Sequence, residues 1–163
     1  LTELKNVEQD IREISHDLNR EKSELINNFV SILNKLFENQ VNTYSSKLIT
    51  VFDPEIKWDL IGNMAKINLY RIVQEGLQNC NKYANADIIR VEFKNENNNL
   101  VLTEDNGNGF NVTKTKNGIG LHNIEYRVKE CKGTVTIKSA KGEGTILIIK
   151  IPIDPNNSLH NDI

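Results

Sequence analysis

Arg71, Glu75, Asn79 and Lys82 stand at spacings of four, four and three in the run YRIVQEGLQNCNKYANA. On a helix those spacings put all four side chains on one face. A carboxylate, an amide oxygen and an ammonium in a row can serve a magnesium-phosphate group. Mg2+ takes hard oxygen ligands and keeps several waters, and lysine offers phosphate a point charge. The opposite side of the run carries Ile67, Leu69, Ile72, Val73, Leu77, Cys80 and Ala84. Taken alone, the polar stripe therefore reads first as the solvated face of an amphipathic helix.

Three glycine-bearing runs follow. DNGNGF, from Asp105 to Phe110, comes straight after a strand-like segment. Its alternating glycines let a ligand approach the backbone closely, and the Asp105 carboxylate can accept from an exocyclic amine such as that of adenine. The plain alternative is a glycine-rich hairpin turn. NGIGL, from Asn117 to Leu121, opens a helical pattern, and helix N-termini favour phosphate through free N–H groups and the macrodipole. GEGT, from Gly142 to Thr145, enters the last strand and by itself reads as a hairpin.

Positioning these groups requires a particular order of elements. Residues 2–18 show a heptad stripe of Leu4, Val7, Ile11, Ile14 and Leu18, the seam of a helical bundle. Residues 22–41 form a second helix with a wider apolar face, from Leu25 through Phe37. KLITVF, Lys47–Phe52, reads as a strand stopped by Asp53-Pro54. A long helix is expected over 63–84, with Asn63 as its N-cap. Strands are expected at Ile88–Lys94 and Leu100–Glu104, separated by the polar run NENNN, then a loop over 105–118. A short helix over 119–131 and strands at Thr134–Ser139 and Thr145–Ile151 complete the pattern. This order fits an α+β two-layer sandwich, a mixed sheet covered by helices.

Composition narrows the class. The 163 residues are 38% hydrophobic and 26% charged, with a net charge of −2. No basic stripe marks a nucleic-acid footprint. Cys80 and Cys131 form no CxxC pair, so no redox or metal motif is present. No stretch approaches the ~20 apolar residues of a membrane span. The chain opens on Leu1 rather than Met, and the expectation is a fragment whose upstream part lies out of view.

In this order the motifs resemble those of the GHKL ATPases, the superfamily of histidine kinases, type II topoisomerases, heat-shock chaperones and mismatch-repair proteins. QEGLQNCNKYA is similar to the N box, DNGNGF and GIGL to the glycine boxes flanking the ATP lid, and GEGT to the closing Gly-Thr motif. The likeness spans roughly residues 25–152 and is strongest to sensor histidine kinases with a short lid, the nitrate- and desaturase-type sensors. It implies a Bergerat-type ATP-binding sandwich preceded by a helix of a dimerisation bundle. The domains would be 1–20 for the end of a dimerisation and phosphotransfer hairpin, 22–153 for the catalytic domain, and 154–163 for a tail.

The resemblance also implies roles. Glu75 would be the catalytic acidic residue that polarises the attacking group, Asn79 the Mg2+ ligand, and Lys82 a phosphate contact. Asp105 would take the adenine amine, with Gly107 and Gly109 shaping the pocket. Gly118, Gly120 and Leu121 would meet the phosphates and hinge the lid, and Thr145 would support Asp105. Tyr83 departs from the family, which often has His after the lysine. The cofactors implied are ATP and Mg2+. The partners implied are a response regulator and a second copy through the N-terminal helices, with no nucleic acid and a membrane reached only through upstream segments. The expected location is the cytoplasm.

The phosphoacceptor is expected upstream of this chain, because a kinase hairpin needs two helices before the ATPase domain and only residues 2–18 are available. His16, at an outward heptad position and followed by an acid, is the competing candidate. Two other functions share the site: an anti-sigma-type serine kinase, and a degenerate nucleotide-gated interaction module.

Overall fold

The structure is a computed structural model that describes residues 2–84, 86–106, 119–140 and 142–153. Helix α1 (Thr2–Asn27) runs almost directly into α2 (Phe29–Thr43). The break expected near residue 20 lies instead at Asn28, whose φ of −126° leaves the helical region while its carbonyl accepts from Ile32 N–H at 2.9 Å. Helix α2 buries Phe29, Leu33, Phe37 and Gln40, an apolar face with one polar member. Strand β1 (Lys47–Phe52) follows. It ends where the Asp53 carboxylate accepts from Glu55 N–H at 2.9 Å and, across the sheet, from Asn95 N–H at 3.0 Å. Both bonds stabilise the charged form, so the carboxyl lies below its ordinary value.

Helix α3 (Asn63–Asn79) is the crossover from β1 to β2 (Ile88–Glu96). Gly62, not Asn63, occupies its N-cap, and no side chain caps it. The helical run reaches Ala84 as expected, but its last five residues, Cys80–Ala84, form a π-turn. Strand β3 (Asn99–Asn106) returns from β2 through Asn97 and Asn98, whose φ values of 50° and 62° suit a two-residue hairpin turn. Helix α4 (Ile119–Glu130) and the hairpin of β4 (Thr134–Ala140) and β5 (Gly144–Pro152) complete the fold.

The sheet has five strands in the order β1-β2-β3-β5-β4. Only β1 and β2 are parallel, as their helical crossover requires. Burial alternates along the strands. Ile89, Val91 and Phe93 of β2 and Leu147, Ile149 and Ile151 of β5 are buried, while Arg90 and Lys150 between them are exposed. One sheet face therefore packs on helices and the other meets water. The covering layer supplies Leu33 from α2, Leu69, Ile72 and Val73 from α3, and Ile124 and Val128 from α4, each at most 1% exposed. Phe52, Trp58 and Phe93 pack ring to ring beside Phe29 and Phe37 at the β1 end. This is the α+β sandwich expected from the element order. Among the described residues no helix is long and apolar enough to cross a membrane.

Candidate active site

The C-terminal half of α3 faces the start of α4. Gly120, the second residue of α4, lies so close to α3 that a β-carbon there would stand 2.6 Å from Glu75 Oε1 and 2.8 Å from Asn79 Oδ1. Only a glycine admits both oxygens at that distance. Glu75 and Asn79, one helical turn apart, thus turn their oxygen atoms towards one spot at the first turn of α4. Helix α4 packs there through Leu121, Ile124 and Val128, all buried, which fixes the approach of the two helices. Lys82 is exposed on the π-turn, three residues beyond Asn79. Arg71 is not part of this group. It is exposed and donates to Gln74 Oε1 at 2.9 Å.

The end of β3 adjoins the same end of the sandwich. Asp105 pairs with Arg90 and Ile146, and Asn106 pairs with Ile89 and Thr145. Thr145 is 4% exposed, and its hydroxyl shares a 2.6 Å hydrogen bond with Ser139 across the β4–β5 hairpin. The side chain of Asp105, and Gly107, Gly109 and Gly118 entirely, lie outside the described residues. The structure therefore joins Glu75, Asn79 and Gly120 directly, and brings the β3 terminus beside Thr145 through strand register.

Two features escaped sequence reasoning. Ser139 belongs to the Thr145 pair, and counting register back across the AKGEG turn would have found it. Gln40 is 4% exposed and exchanges two hydrogen bonds with Asn81, at 2.8 and 2.9 Å. Its signal was a polar residue three places beyond Phe37 on the apolar stripe of α2. At the far end of α3, buried Asn68 accepts from Arg127 and donates towards Glu130 and Cys131. Burial pushes the Cys131 thiol up from its ordinary value. His122 is exposed.

The chemistry of this arrangement suits an anionic ligand bearing a hard cation. Two oxygen-bearing side chains face a helix start, with a lysine beyond them. The sequence profile of the histidine kinase-, DNA gyrase B- and HSP90-like ATPases matches residues 64–155, more than half of the chain. The signal transduction histidine-protein kinase/phosphatase DegS of Brevibacillus brevis is 40% identical over 90 residues, covering 54% of this chain and 23% of the relative. The sensor histidine kinase LiaS of Bacillus subtilis is 32% identical over 114 residues, covering 66% and 32%. The chain thus spans about a quarter to a third of the length of the curated relatives it matches.

Among solved structures, the histidine kinase domain of the Erythrobacter litoralis EL346 blue-light activated histidine kinase superposes with a TM-score of 0.61 at 16% identity, covering 74% of this chain and 62% of that one. The Acinetobacter baumannii histidine kinase AdeS gives 0.60 at 15%, covering 93% and 84%. At such identities these two speak to the fold alone. The chain belongs to the histidine kinase-, DNA gyrase B- and HSP90-like ATPase family and carries the ATP-binding catalytic domain of a sensor histidine kinase.

Proposed function

We propose that this domain binds ATP with Mg2+ and passes the γ-phosphate to a histidine imidazole, for relay to a response regulator. The observation that carries the reading is the convergence of Glu75 and Asn79 oxygens on Gly120 at the start of α4. These are hard donors of the kind Mg2+ accepts, and an amide with a carboxylate leaves room for the waters it retains. Asn79 would hold the cation, which when bound neutralises phosphate charge. Lys82 contributes a second positive charge, and free N–H groups at the α4 start contribute a third source of positive potential. Asp105 accepts from the adenine amine, supported from β5 by Thr145.

In the transfer, an imidazole nitrogen forms a bond to the γ-phosphorus as the bond to the β-phosphate oxygen breaks, and ADP leaves. Glu75 accepts a hydrogen bond from the attacking ring and raises its nucleophilicity. Catalysis of this kind is mostly positioning and charge stabilisation.

The apolar stripe of α1 supports a dimer. Val7, Ile11, Ile14 and Leu18 are 55, 61, 61 and 52% exposed, and a heptad stripe of that exposure requires a facing helix. It also favours a histidine kinase over a serine kinase, which shares the nucleotide site but needs no helical stalk. Residues 1–20 then belong to the dimerisation hairpin and 22–153 to the catalytic domain, acting inside the cell where ATP is found. The acceptor histidine lies on a helix upstream, and His16 is the alternative.

Calorimetric titration with an Mg2+-ATP analogue, beside Asp105→Ala, tests the site. Saturable binding lost in the variant is expected. A folded chain that binds nothing would sink the reading. Acid-labile labelling from ATP that disappears in His16→Gln would move the acceptor to His16.

A further inference from the structure

The π-turn Cys80–Ala84 presents Lys82, immediately after the residue that faces Gly120. A π-turn is a rare departure from the α-helix and persists where surrounding structure holds it. What holds this one is visible. Asn81 Nδ2 donates to Gln40 Oε1 at 2.9 Å, and Gln40 Nε2 donates to Asn81 Oδ1 at 2.8 Å. The two amides, 41 residues apart, satisfy each other reciprocally in the contact between α2 and the turn. Gln40 is 4% exposed, sits in the last turn of α2, and also bonds Tyr44 N–H through its carbonyl at 3.0 Å. Asn81 lies between Asn79 and Lys82. Its partner therefore fixes the backbone of the segment that aims both residues.

Resting on the nucleotide-site reading above, we propose that Gln40 and Asn81 are positioning residues. Their amide pair sets the π-turn so that Asn79 and Lys82 meet the phosphates and their cation. The pair also ties the end of α2, into which α1 leads, to the segment that carries Asn79 and Lys82. Such supporting hydrogen bonds around a metal ligand are worth roughly ten- to a hundredfold in affinity.

The test uses this chain and measures affinity for Mg2+-ATP and for adenosine side by side. Gln40→Leu/Asn81→Leu removes both amides together, giving up only the long 3.5 Å contact of Gln40 Nε2 to the half-buried Ser46 hydroxyl, so the thermal midpoint is expected to hold. Its ATP affinity should fall at least roughly tenfold, while adenosine, which touches neither Asn79 nor Lys82, binds as before. The exchanged pair Gln40→Asn/Asn81→Gln keeps the total length and the reciprocal bonds, and should restore ATP affinity. Asn81→Ser reads the same ATP-to-adenosine ratio should the double leucine variant fail to fold. An unchanged ratio in a folded variant, or an equal loss for both ligands, overturns the proposal. Failure of the unaltered chain to bind ATP would overturn the site reading itself, and is distinguishable from either.

Discussion

Two glycines separate binding from stability at the level of single residues. A β-carbon on Gly120 would meet the ends of Glu75 and Asn79, both side chains that can swing away. Gly120→Ala should therefore fold with nearly its parent's thermal midpoint. It should lose roughly ten- to a hundredfold in Mg2+-ATP affinity, the usual cost of disturbing the groups that orient a metal's ligands. Gly133 is different. There a β-carbon would stand 2.5 Å from the Lys150 backbone carbonyl, which a paired strand cannot move. Gly133→Ala is expected to destabilise by about 2–3 kcal/mol in chemical denaturation and to leave the nucleotide affinity of the folded fraction alone. Equal effects of the two substitutions on both readouts would remove the distinction. The sequence showed both glycines, but only the packing of α4 on α3 and of β4 on β5 assigns them opposite consequences.

Asp53 shows the same logic for an element. Its carboxylate ties the end of β1 to β2 through Asn95 and turns the chain at Glu55. Those backbone donors, most of all Asn95, hold its carboxyl below the ordinary 3.8. The unfolded chain takes up the proton at the ordinary value, the native chain only at a lower pH. The stabilisation is thus complete above the ordinary value and fades as pH falls below it through the native one. Asp53→Asn should flatten that acid limb, and urea midpoints measured from pH 6 down to pH 2.5 would show it. Parallel limbs in the two proteins would exclude the effect. At this level the sequence was largely legible. All five strands and α4 lie within two residues of their expected ends, because alternation and turn residues such as Asn97-Asn98 are local signals. The π-turn was not legible. The run continues its helical apolar spacing through Cys80 and Ala84, and the departure depends on Gln40, 41 residues away. The joint between the first two helices was also misplaced, since Asn19 and Arg20 carry no strong breaker and the helix passes through them.

For the whole molecule, the exposed α1 stripe makes the strongest demand. Ile11→Asp/Ile14→Asp should abolish concentration-dependent association in sedimentation and leave Mg2+-ATP titration unchanged, as the stripe and the nucleotide site share no residue. Association that survives would exclude the α1 seam. The joint at Asn28 has a further consequence, which is one of phase. With a single residue between α1 and α2, the direction in which the stripe points is fixed relative to the ATP site by the number of residues after Leu18. Each added residue turns an α-helix by about 100°, whereas seven return it to within about 20° of its starting bearing. One residue inserted between Leu18 and Asn28 would swing the partner's contact face a quarter turn around the nucleotide site, and seven would lengthen the arm while nearly preserving its bearing. Chain length here acts as an angular coordinate.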